Sequence, residues 1–86
     1  MVWSKKDVDR TSIETYVHDC RIKMGESIRE IREKKGYNQE QLAEIMHVSR
    51  TTISKIENGK FNCSMDYLSK FAYHLGFELL PLRTRE

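Results

Sequence analysis

The side chains best suited to do chemistry form a polar run between positions 50 and 55. Guanidinium, ammonium and hydroxyl groups of this kind bind base edges and phosphates in nucleic-acid complexes. The outward face of an ordinary small helical domain has a similar composition. The run alone therefore fits both a nucleic-acid surface and a solvated helix face. Its members are Arg50, Thr51, Thr52, Ser54 and Lys55.

Apolar residues at helical spacing predict the two short helices that position this run, at about 39–46 and 50–58. Ala43 lies where the helices approach most closely, and its small side chain permits a steep crossing with a short turn. Asn38 and Ser49 precede the helices and can accept hydrogen bonds from the free amides of the first turns. Once the apolar faces pack together, the polar run points outward. The inward residues are Leu42, Ala43, Met46, Ile53 and Ile56.

Two further helices complete the predicted core. One spans about 23–35 and ends at Gly36 in a left-handed cap. The other starts at Ser64, continues to about His74 and ends at Gly76. The sequence therefore predicts an all-α domain of four to five helices. The residues expected to be buried in these two helices are Met24, Ile28, Ile31, Met65, Leu68, Phe71, Ala72 and Leu75.

Residues 1–22 are predicted to form an N-terminal extension that carries an extra helix, ahead of the domain at 23–76. The pattern leaves open whether this helix is continuous with the next one. The polar segment before it is expected to fray unless Trp3 finds a pocket. The residues that share one face of the extra helix are Ile13, Tyr16, Val17 and Cys20.

The C-terminal segment, residues 77–86, begins with a short apolar run directly after a glycine, a pattern that favours a β-strand. A lone strand leaves its backbone groups unpaired, so we expect it to pair with the same strand of a second subunit about a two-fold axis. Pro81 would limit that ladder to its edge or end. The alternative is a tail that packs back over the last helix. The residues predicted to form the dimer interface are Phe77, Leu79, Leu80 and Leu82.

Length, charge and cysteine content are consistent with one small domain inside the cell. The 86 residues carry a formal net charge of +2, and the basic excess lies in residues 21–60, with nine Lys or Arg against six acids. Cys20 and Cys63 lack metal-ligand spacing, and the sequence contains neither a signal peptide nor a long apolar run. We expect a cytoplasmic protein with free thiols, no metal and no cofactor.

Four motifs in a fixed order identify a family resemblance. They lie at 28–36, 38–43, 48–50 and 53–60. The stretch from Met24 to Gly76 resembles the XRE class of helix-turn-helix domains, the class of the phage lambda repressor and Cro. The resemblance implies a lambda repressor-like DNA-binding fold in which the helix at 50–58 enters the major groove.

The resemblance also assigns roles to individual residues. It implies that Arg50, Thr51 and Lys55 contact base edges, with Thr52 and Ser54 as further candidates. It places four other residues near phosphates: Asn38, Gln39, Asn58 and Lys60. Arg32 and Glu57 match a pair that forms a buried salt bridge in phage repressors.

The turn at His47 departs from the family pattern, because glycine is usual where the backbone is left-handed. Histidine can adopt that conformation at some cost. We therefore expect His47→Gly to be neutral or stabilising.

The main functional prediction is a sequence-specific, double-stranded DNA-binding repressor that acts as a homodimer on an inverted repeat. No nucleophile and base pair or phosphate loop is present, so we expect no enzymatic activity. One alternative is an antitoxin that neutralises a protein toxin and regulates its own operon, because related antitoxins have a strand after the fourth helix. A second is a phage or restriction-modification controller, for which the resemblance implies a fifth helix in place of the tail.

Overall fold

The computed structural model describes residues 10–80 and 82–84, and within these residues all regular structure is helical. The elements are α1 (Arg10–Lys34), α2 (Gln39–Met46), α3 (Arg50–Glu57) and α4 (Met65–Leu75). The prediction of an all-α domain is confirmed. The sequence segment that contains Trp3, and Pro81 in the tail, lie outside the described residues.

Side-chain caps define where the last three helices begin. The Asn38 Oδ1 accepts a hydrogen bond from the Gln41 backbone N–H at 2.7 Å, and the Gln41 side chain accepts one from the Asn38 N–H at 2.8 Å. Ser49 caps α3 and Ser64 caps α4 in the same manner, each accepting from the amide three residues later. Each helix start is thus encoded locally by the sequence.

The core lies between the second half of α1 and the inner faces of the other three helices. Its centre is fully enclosed, because Leu42, Ile53, Phe71 and Leu75 have no exposed surface. Burying one such side chain contributes about 1.5 to 3 kcal/mol. The remaining buried apolar residues are Ile28, Ala43, Met46 and Ile56.

The structure answers a question that the sequence pattern left open, namely whether the predicted N-terminal helix is continuous with the one at 23–35. One helix of 25 residues, α1, spans both segments. No proline interrupts it, and its only interior glycine, Gly25, stays helical. At about 1.5 Å per residue the helix is about 37 Å long, so its first half extends past the core.

Gly25 lies where α1 crosses the C-terminal end of α3. A Cβ atom at this position would lie 2.6 Å from the carbonyl oxygen of Glu57 and closer still to that of Ile56. Only glycine lets the two backbones approach so closely. The position of α3 against α1 therefore depends on a residue without a side chain.

Two expectations about apolar residues are wrong or incomplete. Met65 was expected in the core but is 57% exposed, because it opens α4 one turn before the half-buried Leu68 and extends beyond the edge of the core. Met24, Ile31 and Leu68 pack against the core without being fully buried.

The described part of the tail, 77–80 and 82–84, forms no strand within this single chain. The physical reason is the one that motivated the dimer prediction, since α1 to α4 offer no strand edge for it to pair with. Its first residue, Phe77, instead donates its backbone N–H to the Ala72 carbonyl and packs on the core. Among the described residues, no helix is long and apolar enough to cross a membrane.

Candidate nucleic-acid interface

Helix α3 presents three of its polar side chains to solvent. Arg50, Thr51 and Lys55 are exposed, whereas Ile53 and Ile56 on the opposite face are buried. Arg50 and Thr51 form the first turn and Lys55 follows one turn later, so the three lie along the exposed side of α3. A helix about 10 Å wide with this surface can enter a DNA major groove about 12 Å wide.

Thr52 and Ser54, the other two base-contact candidates, are only half-exposed. The Thr52 hydroxyl lies 2.9 Å from the Ser49 hydroxyl at the N-cap. The Ser54 hydroxyl and carbonyl both accept from the Asn58 side-chain amide. These hydroxyl groups therefore take part in capping and closing α3, which leaves them less available than Arg50, Thr51 and Lys55.

Glu57, the last residue of α3, is completely buried and accepts three hydrogen bonds. Arg32 donates two of them, from Nε at 2.6 Å and from Nη2 at 3.1 Å, and Gln39 donates the third from Nε2 at 3.0 Å. The Nε of Arg29 lies 3.8 Å from the same carboxylate. The structure thus joins Arg32 of α1, Gln39 of α2 and the end of α3 through one carboxylate.

Arg32 is almost as enclosed as its partner, and its Nη1 donates a hydrogen bond to the Tyr37 carbonyl at 2.8 Å. Its hydrogen bonds to Glu57 raise the pKa of Arg32 above its ordinary value, and this effect exceeds the lowering caused by burial. A bidentate pair in which every buried atom has a partner fixes the relative orientation of three helices. The pair also neutralises the negative charge of Glu57 at the end of α3.

The four predicted phosphate-contacting residues lie at the ends of α2 and α3. Asn38 uses its side-chain oxygen as the α2 cap, which leaves its amide group for an external acceptor. Gln39 gives one amide hydrogen to Glu57 and retains a second. Asn58 directs its amide nitrogen back to Ser54, and Lys60 is exposed just after α3.

A shallow depression of about 350 Å³ joins the starts of α2 and α3. It brings two predicted phosphate contacts, Asn38 and Gln39, next to Arg50, a predicted base contact. The N-termini of both helices carry partial positive charge, which favours an anion nearby. The residues that line it are Arg32, Asn38, Gln39, Glu40 and Arg50.

The turn between α2 and α3 has the predicted left-handed residue. His47 has φ 58° and ψ 43°, and its backbone N–H donates back to the Glu44 carbonyl. It is the only described residue other than glycine with a positive φ. The expectation of a left-handed backbone at His47 is confirmed.

The Gln39 contact with Glu57 could not be predicted from the sequence, because the two residues are 18 positions apart and both are common surface types. Gly25 was also missed, although a glycine inside a helix is a signal of close backbone approach. Both residues act on the position of α3.

The two cysteines are free, with Cys20 exposed and Cys63 half-buried. Burial raises the pKa of the Cys63 thiol. Among the described residues, no group of three His, Cys, Asp or Glu side chains is close enough to hold a metal ion.

Comparisons with known proteins place this geometry in a family. A family model described as helix-turn-helix, HTH_3, matches residues 28–82. The chain is 37% identical over 67 residues to the control protein C.MunI of Mycoplasma sp, a match that covers 77% of this chain and 90% of that protein. It is also 37% identical over 62 residues to the control protein C.BamHI of Bacillus amyloliquefaciens, covering 71% and 76% of the two chains.

A solved structure agrees with these sequence matches. The crystal structure of the restriction-modification controller protein C.AhdI from Aeromonas hydrophila superposes with a TM-score of 0.66 at 33% identity. The superposition covers 70% of this chain and 91% of that protein. The family model covers more than half of the sequence, and the structure has the two helices joined by a short turn, α2 and α3, with the polar side of α3 exposed. The chain therefore belongs to the HTH_3 helix-turn-helix family, of the XRE type of DNA-binding regulators.

Proposed function

We propose that the protein is a sequence-specific transcriptional repressor that binds double-stranded DNA as a homodimer. The observation that carries the proposal is the arrangement of α3. Its buried end is fixed by Glu57, while Arg50, Thr51 and Lys55 remain exposed on its outer side. A rigid helix with uncommitted donors is what base recognition needs.

Each outward side chain has a distinct part in this function. Arg50 can donate two parallel hydrogen bonds to O6 and N7 of a guanine, a contact that discriminates against a wrong base by about 1 to 3 kcal/mol. Thr51 can meet an adjacent base edge or a thymine methyl group, and Lys55 reaches the next base pairs. Thr52 and Ser54 contribute less because their hydroxyls are engaged within α3.

The phosphate contacts would fix the register of α3 in the groove. Gln39 and Asn38 supply amide hydrogens at the start of α2, and Lys60 supplies a charge beyond the end of α3. Asn58 contributes through its second amide hydrogen, since its first is bonded to Ser54. Such contacts carry affinity without sequence information.

The exposed apolar end of the chain supports a homodimer. Leu80 is 59% exposed and Leu82 is 87% exposed. Tyr73 on α4 is similarly open, whereas Phe77 is half-buried on the chain's own core and Leu79 is half-buried. Strand pairing of two tails would cover the leucines and satisfy their backbone groups. For the two α3 helices to enter successive major grooves, the two-fold axis must set them about 34 to 36 Å apart, one turn of DNA.

A controller of a restriction-modification system is the second candidate function. The three relatives described above are control or controller proteins, and this observation favours the controller over the antitoxin. The fifth helix expected for a controller is not found in the described tail residues. A neighbouring methyltransferase gene would support the controller, whereas a neighbouring short toxin gene would support the antitoxin. In either role we propose a cytoplasmic protein without catalytic activity.

Selection from a randomised duplex library at controlled salt tests the proposal. We expect an enriched inverted repeat and a logarithm of the affinity that falls steeply with the logarithm of salt concentration. No enriched sequence together with a shallow salt slope would refute sequence-specific DNA binding.

Two variants distinguish contacts that recognise the base sequence from contacts that bind phosphates. Arg50→Ala should relax the preference at one base pair in each half-site, and Lys60→Ala should weaken all sequences alike and reduce the salt slope by about 1. Equal effects of both variants on every site would contradict this division.

Leu82→Glu should leave a folded chain that binds a half-site but no longer dimerises. An unchanged sedimentation coefficient for that variant would show that the tail does not form the dimer interface.

A further inference from the structure

We infer that Arg29 is a further DNA-binding residue, which donates hydrogen bonds to a phosphate group of the DNA backbone beside Gln39. The inference rests on the proposed function and adds to it a contact from α1, a helix for which the sequence motifs imply no phosphate contact. Arg29 lies in the second half of α1, about 28 Å of helix beyond its first residue. Its side chain is 43% exposed, so an external anion can reach the guanidinium.

The Arg29 side chain approaches Glu57 of α3 and not the acids of its own helix. Its Nε lies 3.8 Å from the Oε1 of Glu57. Glu26 and Glu33 lie one turn before and one turn after Arg29 on α1. Within the described part of the chain, however, the carboxylate that comes within 4.0 Å of Arg29 is that of Glu57. The guanidinium therefore lies where α1 meets the end of α3, next to the surface proposed to contact DNA.

Glu57 does not need Arg29 as a hydrogen-bond donor. Its two oxygen atoms already accept from Arg32 at 2.6 and 3.1 Å and from Gln39 at 3.0 Å. At 3.8 Å the Arg29 Nε supplies charge without a hydrogen bond, so this contact occupies none of the guanidinium N–H donors. These donors can be directed to an acceptor outside the chain while the guanidinium stays beside Glu57.

Counted within ion-pair distance, the cluster around Glu57 has more positive than negative charge. Two guanidinium groups, those of Arg29 and Arg32, face one buried carboxylate, and Arg32 already forms a bidentate pair with it. The other acid near Arg32 is Glu33, which lies 3.9 Å away and is 61% exposed, so water and salt screen its charge. The uncompensated positive charge therefore lies on Arg29, where a bound anion would balance it.

Two predicted phosphate contacts border this charge. Gln39, which begins α2, donates to the same Oε1 atom that Arg29 approaches, so the two side chains are neighbours. Asn58 directly follows Glu57 at the end of α3. A DNA backbone that passes the start of α2 and the end of α3 therefore passes Arg29. A guanidinium matches the geometry of phosphate oxygens, so the ligand that this arrangement favours is a phosphate diester of the backbone.

The salt dependence of operator binding tests this contact. The binding constants of the wild-type chain, Arg29→Met and Arg29→Lys are measured on the selected operator over a series of salt concentrations. Arg29→Met should reduce the slope of log K against log salt by about 0.9 for each bound subunit, because one phosphate contact is lost. Arg29→Lys keeps the charge and should keep the slope. The preference among base pairs should be the same in all three proteins, since a phosphate contact carries no sequence information.

Lys34→Met is the matched control. It removes one positive charge from an exposed position on the same helix, about 140° around the helix axis from Arg29. The salt slope of this control should equal that of the wild-type chain. Equal slopes for Arg29→Met and Lys34→Met would overturn the proposal.

Urea unfolding distinguishes a DNA contact from a purely structural role. Glu57 keeps its three hydrogen bonds when Arg29 is replaced, so the urea midpoint of Arg29→Met should match that of Lys34→Met. A lower midpoint together with a wild-type salt slope would assign Arg29 to neutralisation of Glu57 and overturn the proposal. Failure of the wild-type chain itself to select an operator would instead refute the proposed function, and with it this contact.

Discussion

Breaking the pair between Arg32 and Glu57 should be the most damaging single change near the interface. Glu57→Met removes two Arg32 contacts of 2.6 and 3.1 Å and leaves a guanidinium that is only 7% exposed. An unpaired buried charge costs about 3 to 5 kcal/mol. A small domain has a total stability of about 5 to 15 kcal/mol, so this variant should lose a large part of its stability.

A double-mutant cycle distinguishes the cost of an unpaired charge from the intrinsic strength of the pair. Arg32→Met together with Glu57→Met removes both charges and keeps apolar volume at both positions. Of the groups that are hydrogen-bonded to this pair, only the Tyr37 carbonyl and one Gln39 amide hydrogen then lose a partner, at about 1 kcal/mol each. The double variant should therefore lose about 2 kcal/mol, less than either single variant, with a coupling energy of at least about 3 kcal/mol.

Urea unfolding followed by circular dichroism gives the four free energies. Glu33→Gln is the matched control, since the Glu33 carboxylate also approaches Arg32, at 3.9 Å, but is 61% exposed. An ion pair with an exposed partner contributes little to stability, so Glu33→Gln should change the free energy of unfolding by less than about 0.5 kcal/mol. Additive losses in the double variant, or a loss below about 1 kcal/mol for Glu57→Met, would refute the reasoning.

Three further substitutions test how α3 is positioned. His47→Gly should raise the free energy of unfolding by up to about 1 kcal/mol, because the strain removed from the left-handed backbone exceeds the conformational entropy that glycine adds to the unfolded chain. A clear fall in the urea midpoint would contradict this prediction. Gly25→Ala should lower the free energy of unfolding by about 1 to 3 kcal/mol, because the new Cβ meets backbone carbonyls of α3. The same change in an open helix is stabilising. A stabilised variant would show that α1 and α3 can separate freely. Ser49→Ala removes the α3 cap and should cost about 1 kcal/mol in thermal unfolding, and an unchanged melting temperature would show that the Ser49 hydroxyl contributes nothing.

The parts of the fold that could be predicted from the sequence are those with a local cause. Asn38, Ser49 and Ser64 mark helix starts, because each side chain accepts a hydrogen bond from the backbone amide three residues later. Gly36 and Gly76 mark helix ends through a positive φ. These signals act within a few residues, so they can be recognised in the sequence without knowledge of the tertiary structure.

The parts that could not be predicted depend on contacts between distant segments. The length of α1 was ambiguous because an uninterrupted helix and two shorter ones have the same periodicity. Met65 satisfies the apolar spacing of α4, yet it is exposed because the core ends at Leu68. The tail has strand-like residues, but a strand needs a partner that one chain does not contain.

Glu57 links recognition to anchoring, and its position has a consequence for specificity. Gln39 is both a candidate phosphate contact and a donor to this carboxylate, so a shift of the DNA backbone at the start of α2 would reach the end of α3 through a single hydrogen bond. Arg32 holds the same carboxylate from α1, which prevents α3 from following the shift. The proposed recognition helix therefore keeps one orientation relative to α1 and α2. If α3 reads base edges as proposed, a mismatched base would then cost its full contact energy, because α3 cannot turn to recover it.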